Sequence, residues 1–257
     1  MPAETVTAVA EAPGCYGKLP ARGDFITRRL GRAFVDAWDD WLQQAILASR
    51  DTLGPLWLDI YLTSPVWRFA LGDGSCGPNT VLGVVIPSVD KVGRFFPLML
   101  GCEAAPGLDL AGSIAGAAVW YQAVEDLALS ALAPQFSLDV LERPIPRDLG
   151  ALPASPGASE PLAAPGLYLP LDAGSVVADL LAVRRPGPRR RTLWWTSGSQ
   201  HVAPCLLICP GLPEPGAFAA MLDGNWRRDG WPVPQAEAAA GAAAAVTEPN
   251  GSLAPGS

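Results

Sequence analysis

A small set of charged and polar side chains, placed in or beside strand-like runs, could do chemistry in this chain. Most of the set falls in two connections between apolar segments, and one arginine lies inside a predicted strand between Trp67 and Phe69. Ammonium, guanidinium and carboxylate groups gathered at one end of a sheet can form an ion-pair network or a polar surface. The residues concerned are Lys18, Arg22, Asp24, Arg68, Ser88, Asp90 and Arg94.

Arg68 is the most constrained member of this set. A charge inside a strand needs a partner, because an unpaired buried charge costs several kcal/mol of stability. Asp24 and Asp90 are the candidate acids, since both lie in glycine-containing loops that could fold over the same end of the sheet. Arg94 is a second donor, suited to bidentate contacts with a carboxylate. Two interpretations stay open: a structural network that ties the loops to the sheet, and a polar cleft or partner-binding surface.

Patterns typical of enzymes and metal sites are weak. The only histidine is His201, so any Ser/His/Asp or Cys/His mechanism would have to use it, and no G-x-S-x-G motif is present. His201, Cys205 and Cys209 recur every four residues, but the run VAPCLLIC predicts a strand, in which this spacing has no special meaning for a metal. The five cysteines are predicted to be reduced thiols. We expect no catalytic residue, cofactor or metal.

Two further motifs have simple structural interpretations. Gly72, Gly74 and Gly77 match G-x-G-x-x-G directly after a predicted strand. A dinucleotide site needs a helix next, whereas Pro78 leads here into the apolar run VLGVVIP, so we predict a hairpin loop. The run RRPGPRRR (184–191) either docks an acidic or phosphorylated partner or is a solvated loop.

Composition excludes several classes of function. The chain has 257 residues, a net charge of −7 and a sequence pI near 4.7, which argues against a nucleic-acid binder with a basic field. It has no run of about 18 apolar residues, so no membrane span is expected. The N-terminus lacks the basic-then-apolar pattern of a signal peptide, and we expect a cytoplasmic protein. A hydrophobic fraction of 49% supports a sizeable core.

Helices and strands must hold the polar set in place. An apolar stripe predicts a helix over 33–52, and an alanine-rich segment predicts another over 111–132. Between them, the runs 66–71, 81–87 and 95–103 predict strands joined as antiparallel hairpins, because no crossover helix fits between them. The residues of the stripe are Phe34, Trp38, Trp41, Leu42, Ala45 and Ile46.

Later segments extend this pattern. Helical patterns cover 175–185 and 214–226, and strand patterns cover 192–197 and 202–209. Helices before, between and after the strands predict an α/β fold with layers over one mixed, largely antiparallel sheet.

Both ends of the chain differ from its middle. We expect a flexible arm over residues 1–13 and one domain over 14–231. Residues 232–257 are mostly Ala, Gly, Pro, Ser and Glu, which predicts a disordered, low-complexity tail.

Six sequence blocks carry a resemblance to a known family. They are GCYGKLPARGDFITRRL (14–30), WDDWLQ (38–43), SPVWRFAL (64–71), PSVDKVGRFFPL (87–98), WWTSGS (194–199) and CLLICPGLP (205–213). Together they resemble the TagF family, also called ImpM, of type VI secretion-associated proteins, from about Gly14 to Trp226. The first four blocks are the specific ones, since tryptophans, glycines and charges match within long strings.

This resemblance implies a fold, a function and a partner. TagF proteins are bacterial, cytoplasmic accessory factors that repress type VI secretion after translation, and they are thought to sequester a forkhead-associated scaffold protein. The family fold is a three-layer α-β-α sandwich, and no catalytic residues are established for it. The resemblance therefore implies a protein-binding regulator rather than an enzyme.

Two alternatives stay open. One is an enzyme or small-molecule sensor with a polar cleft lined by Lys18, Asp24, Arg68, Asp90 and Arg94. The other is a structural component of the secretion machine. A deep closed pocket beside the polar residues would favour the cleft, and a flat or grooved polar surface would favour the regulator.

Overall fold

Strands that are apolar along their whole length form the middle of the fold. A computed structural model describes residues 9–147, 165–171 and 190–233. The run TVLGVVI forms β5, and all of its residues are buried, because apolar side chains cover both faces of the sheet. The strands are β1 (Val9–Glu11), β2 (Gly14–Gly17), β3 (Ile26–Arg28), β4 (Trp67–Leu71), β5 (Thr80–Ile86), β6 (Leu98–Ala104), β7 (Ile145–Arg147), β8 (Leu167–Pro170), β9 (Thr192–Thr196) and β10 (Cys205–Cys209).

Eight of these strands form one sheet in the order β3-β2-β6-β5-β4-β9-β10-β8. The predicted antiparallel hairpins of β4, β5 and β6 are confirmed. The prediction of a mixed sheet is wrong for the strands that the structure describes, since all of their pairings are antiparallel. β2 pairs with β6 although the two are far apart in sequence, and this pairing brings the segments that flank them together.

Helices cover both faces of the sheet. They are α1 (Arg32–Leu53), α2 (Trp57–Leu62), α3 (Leu110–Gly116), α4 (Ala118–Ser130) and α5 (Ala219–Asp223). α1 contacts α2 and α5 on one face, and α4 packs against β5 and β6 on the other.

The predicted apolar stripe of α1 is confirmed, because all six of its residues are buried. The ring centroid of Trp38 lies 5.0 Å from that of Phe69 on β4 and 6.0 Å from that of Trp194 on β9. Buried aromatic pairs contribute about 0.5–1.5 kcal/mol beyond their buried area, so this contact fixes α1 on the sheet.

Glycines shorten two of the predicted helices. The segment 111–132 divides into α3 and α4 at Gly116, because glycine weakens a helix interior. The segment 214–226 holds one turn of 3-10 helix and then α5, which ends at Gly224 in the left-handed conformation. The predicted helix over 175–185 and residues 184–189 of the arginine-rich run lie outside the described residues.

The G-x-G-x-x-G segment is a hairpin loop, as predicted. The Gly74 N–H donates to the Gly77 carbonyl oxygen at 2.8 Å, and both residues have positive φ. The next element is the strand β5 rather than the helix that a dinucleotide site requires.

Part of the predicted N-terminal arm is paired. β1 forms a two-stranded antiparallel sheet with β7, and the Arg147 guanidinium lies 2.8 Å from the Glu11 carboxylate. Residues 1–8 and 234–257 lie outside the described residues.

The described residues contain neither a helix that is long and apolar enough to cross a membrane nor a cluster of metal-binding side chains. None of the five cysteines forms a disulfide and all five are buried, as expected for reduced thiols. Burial raises the pKa of the Cys15 and Cys102 thiols to about 11 and that of Cys76 and Cys209 to about 12. These thiols therefore stay protonated and unreactive at neutral pH.

Candidate binding surface at the loop end of the sheet

Two loops meet at the end of the sheet where β2 stops and β6 begins. We call residues 18–25 and 87–96 together the loop junction. Pairing of β2 with β6 places Gly17 opposite Leu98. Gly17 has a φ of 132°, and a Cβ at this position would collide with the Pro97 carbonyl oxygen, so the close approach requires glycine.

Backbone and side-chain hydrogen bonds join the two loops. The Lys91 backbone N–H donates to the Arg22 carbonyl oxygen at 2.8 Å. The Ser88 hydroxyl donates to the Lys18 carbonyl oxygen at 2.8 Å. The loops therefore form one connected unit instead of two independent turns.

Asp90 lies at the centre of the loop junction. Its buried carboxylate accepts four hydrogen bonds. Oδ1 accepts from the backbone N–H groups of Val92 at 3.0 Å and Arg94 at 2.9 Å. Oδ2 accepts from the Lys18 ammonium at 2.9 Å and from Nε of Arg94 at 2.7 Å. Four donors satisfy the lone pairs of a carboxylate, so neither oxygen is left for a substrate.

The pKa of the Asp90 carboxyl group is lowered well below its ordinary value. Burial alone would raise this pKa, because it disfavours the charged form. The hydrogen bonds outweigh burial, since the Arg94 N–H, the Lys18 ammonium, the Arg94 guanidinium and the Val92 N–H all favour the carboxylate. Asp90 is thus a permanently charged structural group and not a general base.

Helix α2 is tied to the loop junction through Tyr61. The Tyr61 hydroxyl accepts from the Ser88 N–H at 3.0 Å and donates to the Ser88 carbonyl oxygen at 2.9 Å. Burial raises the pKa of Tyr61, so its hydroxyl stays protonated. The serine predicted from sequence is therefore a buried connector between helix and loop.

The remaining predicted residues lie at the rim of the loop junction. Arg94 is 56% exposed at its side chain, donates to the Gly23 carbonyl oxygen and lies 3.8 Å from the Asp24 carboxylate. Arg22 and Asp24 are exposed. The structure therefore brings together six of the seven predicted residues, all except Arg68.

Arg68 lies on the face of the sheet that α4 covers, opposite to the face that α1 covers. Its Nε donates to the Glu125 carboxylate at 2.7 Å, and its Nη2 donates to the Gln122 side chain at 2.9 Å. Both partners belong to α4. The prediction that Arg68 pairs with Asp24 or Asp90 is wrong, because successive side chains of a strand alternate between faces, and Arg68 points toward α4.

An aromatic group at the loop junction was not predicted. The exposed ring of Phe25 stacks on Tyr16 with centroids 5.7 Å apart and meets Phe96 edge-on at 4.8 Å. The Lys18 ammonium lies 5.0 Å from the centroid of Phe25. The Tyr16 hydroxyl in turn donates to Asp39 on α1 at 2.6 Å. An aromatic residue inside the polar loop ARGDF was the available signal.

An apolar pocket lies nearby on the α1 face. Its walls include Trp41, Trp67, Met221 and the ring of Tyr61. None of the seven polar residues lines this pocket. The predicted polar cleft therefore does not coincide with it.

Comparison with known proteins gives the family. Residues 14–147, just over half of the chain, match the TagF N-terminal domain, described as type VI secretion system-associated. The chain belongs to the TagF family. The resemblance carried by the first four sequence blocks is thereby confirmed, since all of them lie within the matched residues.

A solved structure extends this likeness beyond the matched domain. The chain is similar to PA0076 from Pseudomonas aeruginosa PAO1, with 37% sequence identity and a TM-score of 0.66. The similarity covers 86% of this chain and 97% of that one. No curated protein matches the chain. The chain is thus a type VI secretion-associated TagF family protein with an eight-stranded antiparallel sheet.

Proposed function

We propose that this chain represses type VI secretion after translation, as a cytoplasmic and non-enzymatic protein that binds and sequesters a forkhead-associated scaffold protein. The match of residues 14–147 to the TagF family is the observation that carries the proposal. The helices on both faces of the sheet agree with the three-layer α-β-α sandwich of that family. We assign the contact with the scaffold to the loop junction.

The geometry of the loop junction favours binding over catalysis. A catalytic carboxylate needs a free oxygen within reach of a substrate, whereas the Asp90 carboxylate is buried and holds four donors. Its hydrogen bonds connect Arg94 and the backbone of the second loop to Lys18 of the first. Binding to a preorganised surface loses less entropy, which suits a protein-binding site.

We also propose that the domain is confined to about residues 14–231 together with β1. Limited proteolysis should remove residues 1–8 and 234–257 first, because these segments carry few large apolar side chains to bury. A chain of residues 9–233 should keep the melting temperature of the full chain. Loss of folding in this shortened chain would contradict these boundaries.

Binding and repression can be tested together. Isothermal titration calorimetry of the full chain with the purified scaffold should show saturable binding. Deletion of the gene should raise secretion, and the wild-type chain should restore repression. Arg94→Ala should weaken both binding and repression, whereas Arg32→Ala, an exposed arginine on α1 that pairs with Asp36, is the matched control.

Three results would contradict the proposal. The first is no binding of the scaffold by the wild-type chain. The second is unchanged secretion after deletion of the gene. The third is stable copurification with sheath or baseplate proteins in place of the scaffold, which would indicate a structural component.

A further inference from the structure

We propose that the rim of the loop junction receives an acidic segment of the partner protein, which places an apolar side chain against Phe25. This inference rests on the proposed function and adds the chemistry of the contact. The surface consists of two exposed apolar side chains, Phe25 and Val92, among the exposed cations Arg22, Lys91 and Arg94. We call these five residues the Phe25 surface.

Phe25 has the properties of a binding anchor. Phe25 is 46% exposed, although large apolar side chains are usually buried. It is held from below by Tyr16 and Phe96, so it loses little freedom when a partner covers it. Rigid aromatic side chains of this kind carry much of the energy of protein interfaces. Val92, 69% exposed in the second loop, extends the apolar area.

The charge around Phe25 differs in sign from that of the whole protein. The chain carries a net charge of −7. The loop junction instead has four cationic side chains and two carboxylates, and one of these carboxylates, Asp90, is buried and neutralised by Lys18. A local positive surface on an acidic protein favours an acidic partner segment and directs its approach.

The cations of this surface also remain available to a carboxylate of the partner. Nε of Arg94 donates to the Asp90 carboxylate and Nη2 donates to the Gly23 carbonyl oxygen, but the side chain stays 56% exposed. The Asp24 carboxylate is fully exposed and 3.8 Å from Arg94, a weak contact that a partner carboxylate can replace. A carboxylate of the partner would gain charge-assisted hydrogen bonds from these groups.

A segment of protein fits this surface better than an anionic membrane does. The positive area is confined to two loops, and the net charge of −7 repels a large anionic surface at long range. A second copy of the chain would bring the same net negative charge. A short acidic segment contacts the positive loops alone.

Calorimetry with the purified scaffold tests the inference directly. Phe25→Ala should raise the Kd at least tenfold, because it removes the anchor. The double variant Arg22→Glu/Lys91→Glu should raise the Kd about tenfold and flatten its dependence on salt. The matched controls are Leu47→Ala, an apolar residue 62% exposed on α1, and Arg227→Glu, an exposed arginine, and both should bind within twofold of wild type.

Variants must first be shown to fold by circular dichroism. If Phe25→Ala is unfolded, because its ring contacts Tyr16 and Phe96, then Val92→Asp takes its place, since Val92 is more exposed. A scaffold that binds every folded variant within twofold of wild type overturns the inference and the assignment of the contact to the loop junction. It leaves the proposal of scaffold binding and repression standing.

A second probe separates the two proposals. It is a synthetic peptide of twelve aspartates and glutamates with one central leucine, compared with its asparagine and glutamine counterpart. Binding of the acidic peptide alone, lost in Phe25→Ala, supports the Phe25 surface even if the scaffold does not bind and the proposed function fails. Absence of this binding overturns the inference. Phe25-dependent binding to vesicles with phosphatidylserine, or Phe25-dependent dimerisation, would also overturn it.

Discussion

Asp90 and Arg68 are both charged side chains largely withdrawn from solvent, but they are stabilised in different ways. The Asp90 carboxylate is fully buried and holds two loops together through four hydrogen bonds. Arg68 and Glu125 each keep 19% of the side chain exposed and join a strand to a helix through one ion pair. The loops around Asp90 have a few backbone hydrogen bonds and one isolated bridge, between Val89 and Phe95, so the carboxylate carries much of their connection. β4 is paired along its length with β5 and β9, and α4 packs through apolar side chains, so these two elements depend less on their ion pair.

The largest expected effect follows from removing the Asp90 carboxylate. Asp90→Ala leaves the buried Lys18 ammonium without its counterion and frees two backbone N–H groups of the second loop. We expect the melting temperature of this variant to fall further below that of wild type than for any other variant considered below, since an unpaired buried charge is strongly unfavourable. Differential scanning calorimetry measures the loss.

The double variant Lys18→Met/Asp90→Ala is the control for this prediction. It removes both charges, so it should recover part of the melting temperature lost in Asp90→Ala. A melting temperature for Asp90→Ala above that of Arg68→Ala would reverse the comparison between the two regions.

The stability of the protein in acid should depend on the ionisation of the Asp90 carboxyl group. The pKa of Asp90 is lower in the folded protein than its ordinary value of about 4 in an unfolded chain. The stabilisation is therefore complete above about pH 4 and is lost as the pH falls further toward the folded-state pKa. Urea unfolding as a function of pH should show this slope in wild type, and Asp90→Asn should reduce it. An equal slope in both proteins would contradict the assignment.

The residues of the loop junction were largely predictable from sequence, and the ion pairs of Asp90 and Arg68 were not. Polar loops beside apolar runs indicated a polar cluster at one end of the sheet, but Asp90 was predicted to pair with Arg68 instead of Lys18. Predicting the partner of Arg68 requires knowing which face of the sheet α4 covers and which α4 side chain lies above Arg68. The spacing within 111–132 does not set the position of that helix on the sheet. Glu125 was for this reason absent from the predicted set.

The difference between local and long-range information also explains which other parts of the fold were predictable. The α1 stripe was predictable because a period of 3.6 residues is local information. The pairing of β2 with β6 joins segments that are distant in sequence, and nothing local specifies it. The exposure of Phe25 depends on this pairing and on the ring of Phe96. The most specific feature of the candidate surface was therefore also the least predictable.

A smaller effect is expected on the α4 face. Arg68→Ala should cost about 1–2 kcal/mol, because a charge-assisted hydrogen bond is lost at a partly solvated site. For a domain of this size, that is a loss of roughly 2–8 °C in melting temperature. A double-mutant cycle with Glu125→Gln isolates the pair. Scaffold binding should stay unchanged, and a loss of binding would place the interface on the α4 face instead.

Arg94→Ala should have the smallest effect on stability and a clear effect on binding. Its guanidinium contacts Asp90 and Gly23, yet more than half of the side chain is in solvent, so we expect a cost of about 1 kcal/mol or less. The Asp90 carboxylate also accepts from the backbone N–H of residue 94 and from the Lys18 ammonium at 2.9 Å, and the substitution removes neither donor. Thermal melts of Arg94→Ala and Arg32→Ala should therefore differ by only a few degrees. A large drop in the melting temperature of Arg94→Ala would show that the rim is as structural as Asp90, and an unchanged Kd for the scaffold would remove Arg94 from the interface.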